Sequence, residues 1–303
     1  MVPSAPASPL DPPSALRGAE AAVPGIVVRD LASGYLGKRV LEGVSFSVTE
    51  PAIYVVLGQN GAGKTTLFRT LAGILVPYAG TVEIAGRSID EPSTRDRLHF
   101  LSHIDGIPDG LRVDEALRFY ASVQHAGRDD VERVLRLLEI DGLRHRYFAE
   151  LSQGQKKRVS IARIFLQERD IYLLDEPTSN LDPKVAAEIR DLVLGLSRKK
   201  VVLYSSHNLF EAREIGEYVL ALKDGRLFLF DRIRDLRPSR YVVGLRVSPG
   251  GSALPALEKR GEYYLQELSG PEEVPRLLQE LLAKGVRLRE VREMGNPLEE
   301  LFA

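Results

Sequence analysis

Eight consecutive residues, Gly58-Gln59-Asn60-Gly61-Ala62-Gly63-Lys64-Thr65, match a glycine-rich phosphate-binding loop in full. The glycines allow tight turning and close approach, so backbone N–H groups can surround phosphate oxygens. Lys64 adds a cation for β- and γ-phosphates, the Thr65 hydroxyl can ligate Mg²⁺, and Thr66 is placed for an α-phosphate contact. Further along, Ile171-Tyr172-Leu173-Leu174-Asp175-Glu176 is an apolar strand ending in two carboxylates. A buried strand of this kind delivers Asp175 to the carboxyl end of a sheet, where doubly wound folds bind ligands. Asp175 is then suited to hold Mg²⁺ through water, and Glu176 to polarise an attacking water. The other reading of the pair is an acidic helix start, which Pro177 would also fit.

These residues need elements to hold them. Gly25 to Asp30, Val44 to Val48 and Ala52 to Leu57 read as strands, and Lys64 to Leu75 as a helix opening directly from the glycine-rich turn. Thr81 to Ala85, Leu98 to Ser102, Ile171 to Leu174, Val201 to Tyr204 and Tyr218 to Leu222 read as further strands. The stretch from Val113 to Leu166 is mostly helical in pattern, with Val131, Val134, Leu135, Leu137 and Leu138 forming an apolar stripe. Strands alternating with helices predict an α/β fold with a mainly parallel sheet. After about Asp231 a second, smaller α/β unit begins, with strands at Tyr241 to Val247, Tyr263 to Leu268 and Val286 to Val291. Val274, Leu277, Leu278, Leu281 and Leu282 repeat at helical spacing between the last two. His99 and His103 lie four apart, but that spacing converges on a helix and not on a strand, which argues against a zinc site.

Composition bounds the function. The 303 residues carry 41 Lys and Arg against 42 Asp and Glu, a net charge of -1, which gives no support to a global polyanion binder such as a nucleic-acid protein. The absence of Cys excludes disulfides, thiolate metal sites and cysteine nucleophiles. No run of apolar residues is long enough for a membrane-spanning helix, so the chain is expected to be soluble and cytoplasmic. Residues 1–24 hold six of the 18 prolines among Ala and Ser, a composition that predicts a disordered tail.

Leu151-Ser152-Gln153-Gly154-Gln155, ahead of a predicted helix from Lys156 to Leu166, brings in a resemblance. With the phosphate loop and the Asp175-Glu176 strand in that order, the chain resembles the ATP-binding subunits of ATP-binding-cassette transporters. Their signature is usually Leu-Ser-Gly-Gly-Gln; Gln153 replaces the first glycine here. Ser179-Asn180-Leu181-Asp182 is similar to the family's loop after the second phosphate-site motif, and His207 to its switch histidine, 31 residues beyond Glu176. Tyr35, in Ser33-Gly34-Tyr35-Leu36, is similar to the aromatic that stacks on adenine. Where the strand ending near Ser102 leads family members to a Gln, this chain has His103. Some haem-exporter-type subunits carry a similar Gly-His or Ser-His there, and residues 105–120 look like theirs. The ending, Asn296-Pro297-Leu298-Glu299-Glu300-Leu301-Phe302, is similar to the Leu-Glu-x-x-Phe ending of many single-cassette export subunits.

The resemblance implies a P-loop NTPase core at residues 25–235, a helical subdomain at about 104–166, and an accessory α/β module at 236–303. It implies ATP and Mg²⁺ as ligands. It also implies a dimer of two copies in which Ser152, Gly154 and Gln155 of one chain close the ATP site of the other. A separate integral membrane permease subunit would dock on the helical region, placing the chain on the inner face of the membrane, coupled to export. The alternative class is a soluble cassette ATPase acting on ribosomes or DNA. Ribosome-type members usually carry two cassettes and DNA-type members a long inserted coiled coil, neither of which is present. The tail's composition generates a first prediction. Deleting residues 1–24 should leave the rate of ATP turnover and the thermal midpoint unchanged, as followed by phosphate release and calorimetry.

Overall fold

The computed structural model describes residues 25–103, 106–236, 241–248, 257–294 and 298. The predicted tail and most of the Asn296–Phe302 ending lie outside the described residues. The chain divides into two compact units, one up to Arg234 and one from Asp235.

In the first unit, β1 (Ile26–Tyr35) and β2 (Lys38–Val48) form an antiparallel hairpin. β3 (Ala52–Leu57) leads through the glycine-rich loop into α1 (Lys64–Leu71). β4 (Ala79–Ile84), β5 (Arg87–Ser88) and β6 (Leu98–Leu101) follow, then α2 (Val113–Val123), α3 (Arg128–Leu137) and α4 (Gln153–Phe165). β7 (Ile171–Asp175), α5 (Pro183–Ser197), β8 (Val201–Ser206), α6 (Leu209–Ile215), β9 (Tyr218–Lys223) and β10 (Arg226–Arg232) complete it.

The central sheet has the order β10-β9-β3-β8-β7-β6, and the five strands from β9 to β6 run parallel. The mainly parallel core is therefore present. Strands β3 and β8 are buried along their whole length, as expected when both faces of a parallel sheet are covered. The first strands do not join it. They form a separate antiparallel sheet of order β2-β1-β4-β5, whose apolar face (Ile26, Val28, Leu41, Phe46, Val82) packs into the same core as α1 and the central strands.

Several boundaries differ from the sequence expectation. α1 stops at Leu71, short of Leu75, because the N–H groups of Gly73 and Ile74 turn back to the carbonyls of Thr70 and Arg69. The stretch from Val113 to Leu166 is three helices, with a connection of about one-turn segments between α3 and α4. α4 opens at Gln153, three residues before the expected start. There Ser152 caps it reciprocally: Gln155 N–H donates to Ser152 Oγ at 3.3 Å, and Ser152 N–H to Gln155 Oε1 at 3.0 Å.

Among the described residues, the second unit is a four-stranded antiparallel sheet with one α-helix. β11 (Tyr241–Val247), β12 (Glu258–Arg260), β13 (Tyr263–Leu268), α7 (Val274–Ala283) and β14 (Leu288–Glu293) give the sheet order β12-β13-β11-β14. Val243, Leu245, Leu281 and Val286 form its core. β14 begins after Val286, whose N–H instead closes the end of α7 on Leu281.

β9 and β10 are joined by Asp224-Gly225, both at positive φ (48° and 75°), the geometry of a two-residue hairpin turn with matching twist. This turn reaches the phosphate loop: Gly225 N–H donates to the Ala62 carbonyl at 3.2 Å, and Glu42 N–H donates to the Gly225 carbonyl. A Cβ on Gly225 would sit 1.9 Å from the Val40 carbonyl oxygen. Gly225→Ala should therefore cost at least about 1–3 kcal/mol, from left-handed strain plus the clash. A clear fall in thermal midpoint checks this.

Candidate functional site

The parallel register decides where the chemistry collects. Leu57 of β3 pairs with Ser206 of β8, Ser205 of β8 with Asp175 of β7, and Leu174 of β7 with Leu101 of β6. The residues that follow these strand ends are Gly58, His207, Glu176 and Ser102-His103, so one edge of the sheet carries all four loops.

On β3's side, Gly63 has φ 107°, and a Cβ there would lie 2.7 Å from Leu41 Cδ2, so glycine is needed where the loop enters α1. Lys64 is almost fully buried, and its ammonium donates to the carbonyls of Gly58 (2.8 Å) and Gln59 (3.3 Å). It also lies 3.4 Å from Glu176 Oε1. His207 Nδ1 lies 3.2 Å from the same oxygen. The three side chains that the sequence placed in separate motifs thus meet around one carboxylate.

Glu176 holds an unusual backbone, φ 47°, a left-handed conformation that costs a non-glycine residue about 1–3 kcal/mol. Its neighbours enforce it. Glu176 N–H donates to Ser205 Oγ at 2.9 Å, and its carbonyl accepts from Ser179 N–H and Ser179 Oγ. Ser205 Oγ in turn donates to Asp175 Oδ1 at 2.7 Å. Asp175 is fully buried, and its Oδ2 receives no hydrogen bond from the protein. His103 Nδ1 is 3.5 Å from that oxygen. A buried carboxylate oxygen without a protein hydrogen bond is a hard oxygen donor of the kind a divalent cation takes, and the Thr65 hydroxyl at the start of α1 is another.

A cavity of about 470 Å³ is lined by Tyr35, Lys38, Arg39, Asn60, Gly61, Gly63, Lys64, Thr65, Thr66 and Glu176. Tyr35, one of the lining residues, is 40% exposed, with its hydroxyl accepting from Arg69 Nη1 at 3.0 Å. Gly58 and Ala62 belong to the same loop and do not line the cavity: the Gly58 carbonyl accepts from Lys64, and Ala62 N–H donates to the Gln59 carbonyl at 3.1 Å. Ser152, Gly154, Gln155 and Asp182 do not line this cavity. They line another, of about 610 Å³, between the start of α4 and the loop into α5. Asp182 caps α5, its Oδ1 accepting from Lys184 and Val185 N–H at 3.1 Å each. His99 stays out of the site: its Nε2 is 2.7 Å from the Gln167 carbonyl, and burial lowers its pKa to about 4. Among the described residues, no group of three or more His, Asp or Glu forms a metal cluster.

The ABC transporter family matches residues 41–179. The cytochrome c biogenesis ATP-binding export protein CcmA of Roseobacter denitrificans is 41% identical over 159 residues, 52% of this chain and 72% of the relative. The chain is a member of the ABC transporter ATP-binding family. A solved ATP-binding subunit of an ABC transporter shares the fold, with TM-score 0.65 and 28% identity over 70% of this chain and 91% of that one. CbiO1 from Clostridium perfringens, part of the ABC transporter complex cbiONQ, gives TM-score 0.60 at 26% identity, over 68% of this chain and 88% of that one. As a member of this family the chain is an ATPase, the ATP-binding subunit of a transporter. No helix among the described residues is long and apolar enough to cross a membrane.

Two residues of this ABC subunit escaped the sequence reading. Neither Ser205 nor Glu211 belongs to a motif, because their partners are set by strand register and not by spacing along the chain. Ser205→Ala should leave Asp175 Oδ1 and Glu176 N–H without their shared partner. The expected loss is about 1–3 kcal/mol of unfolding free energy, read as a lower urea midpoint at unchanged slope.

Proposed function

We propose that two copies of this chain form an ATP-sandwich dimer that drives export through a separate membrane-embedded permease subunit. The observation that carries this is the separation of the two half-sites. Lys64, Thr65 and Glu176 line one cavity, and Glu176 and Asn60 are shared with a second that His207 lines, whereas Ser152, Gly154 and Gln155 line a third on the same chain. The start of α4 presents backbone donors and the positive end of its dipole, features suited to an anion that the chain's own loop does not supply. A second copy turned about a two-fold axis brings the two together, and symmetry makes both sites equivalent.

Within one site, the loop N–H groups and the Lys64 ammonium hold the phosphates. Tyr35 offers a flat face to adenine. The Glu176 carboxylate orients water in line with the γ-phosphate, and His207 keeps that carboxylate turned toward the phosphate. Thr65 and Asp175 would hold Mg²⁺, with His103 beside Asp175 in the place of the family's glutamine. When bound, the metal neutralises charge on the β- and γ-phosphate oxygens. The exposed Phe119 and Val123 on α2 suit the helical region to docking a permease at the membrane's inner face. Export rather than import rests on the likeness to CcmA, itself named an export protein.

The test is Glu176→Gln. Removing the charge should slow ATP hydrolysis by about 10²–10⁴-fold while ATP still binds. Sizing chromatography should then show monomer without nucleotide and dimer with ATP, and adding Ser152→Arg should abolish the dimer. An unchanged rate, or a mutant that binds ATP and stays monomeric, overturns the proposal.

A further inference from the structure

Behind the His207 loop lies a buried carboxylate that none of the nucleotide motifs includes. Glu211, in the first turn of α6, is 9% exposed and accepts three hydroxyl hydrogen bonds. Thr178 Oγ1 (2.5 Å) and Tyr204 OH (2.8 Å) reach Oε1, and Ser206 Oγ (2.7 Å) reaches Oε2. Thr178 and Tyr204 are also 3.0 Å apart, closing a small ring. Burial, and then the Glu211 charge, push the Tyr204 phenol well above its ordinary pKa, so it remains a hydrogen-bond donor.

The positions of these donors give the cluster its meaning. Thr178 lies two residues after Glu176, and Ser206 lies immediately before His207. Ser206 Oγ also accepts from Asn208 N–H at 2.9 Å, and Asn208 Oδ1 accepts from the N–H groups of Phe210 and Glu211 at the start of α6. His207 is therefore flanked on both sides by residues tied to Glu211, although its own side chain is 52% exposed.

We infer that Glu211 is a positioning residue for ATP hydrolysis, clamping the segment after Glu176 to the segment that carries His207 and so holding those two side chains at 3.2 Å. This rests on the reading above in which Glu176 and His207 act together. A carboxylate suits the task because it accepts from all three hydroxyls at once, whereas an amide offers one accepting oxygen. Buried networks of this kind fix geometry when every member is satisfied.

The experiment measures kcat and KM for ATP, ATP affinity by equilibrium binding, and thermal midpoint. Glu211→Leu should lower kcat by about 10–100-fold, the effect of displacing a reacting group by about an ångström. Glu211→Gln should recover part of the loss. KM and ATP affinity should stay within about twofold of the unmodified chain, since the phosphate loop is untouched. If Glu211→Leu does not fold, Thr178→Val and Ser206→Ala each remove one bond at nearly constant shape, and each should lower kcat with affinity retained. The deciding measurement is the double variant with His207→Ala. A residue acting through His207 should add no further loss to the residual rate of that background, whereas a general structural defect multiplies it. Unchanged kcat in folded Glu211 variants, a parallel loss of ATP affinity, or a multiplicative loss with His207→Ala each overturns the inference. An unchanged rate for His207→Ala alone would instead overturn the roles assigned to His207 and Glu176.

Discussion

Four parallel strands ending in register are the constraint on which this molecule depends. The phosphate loop, the Asp175-Glu176 pair, His103 and His207 are far apart in the chain, and no local interaction joins them. They meet because β3, β8, β7 and β6 lie side by side with their carboxyl ends level. A shift of one residue between β7 and β8 would turn Asp175 to the other face of the sheet and separate Glu176 from His207. Burial of both faces makes such a slip costly, since β3, β7 and β8 are buried along their whole length and a shift would misplace side chains packed on both sides. The geometry of the candidate site is thus set by core packing beneath it.

Charge is managed at that edge by pairing and by hydroxyls. Lys64 and Glu176 lie 3.4 Å apart with little exposure, so neither is left as an isolated buried charge. Asp175 is deeper still: Ser205 donates to one of its oxygens, and the other accepts no hydrogen bond, with His103 Nδ1 3.5 Å away. Leaving a buried carboxylate oxygen bare normally costs stability, and sites of function are where such costs are tolerated. The left-handed Glu176 belongs to the same pattern: local strain, held by Ser205 and Ser179, at the residue whose carboxylate lies between Lys64 and His207.

How much of this was legible in the sequence follows from how local each feature is. The phosphate loop reads directly because one contiguous segment builds it, and the central strands read because full burial makes them continuous apolar runs. β2 was read only from Val44, since its first half alternates poorly, and register shifts in the β1–β2 pairing break the two-residue period. β10 is half-exposed, and its best signal was not its apolar pattern but the Asp224-Gly225 turn before it. β12 is three charged residues with no apolar signal. His207 was found by resemblance, but its 3.2 Å approach to Glu176 is a property of strand order, which spacing along the chain does not encode.

The end of β8 shows how economically that order is used. Side chains alternate across a strand, so Tyr204 and Ser206 point to one side and Ser205 to the other. Ser205 serves Asp175 and the Glu176 backbone, whereas Tyr204 and Ser206 both serve Glu211. Three consecutive hydroxyls thereby anchor two buried carboxylates on opposite sides of one strand, and His207 is the next residue. The histidine's own side chain has little packing to fix it, being half exposed, so its placement has to come from the backbone on which it rides. That backbone is held from opposite faces at the two positions before it, Ser205 and Ser206. A loop fixed in this way holds its imidazole in one place, and fixed placement is what a reaction governed by alignment requires of any group that takes part.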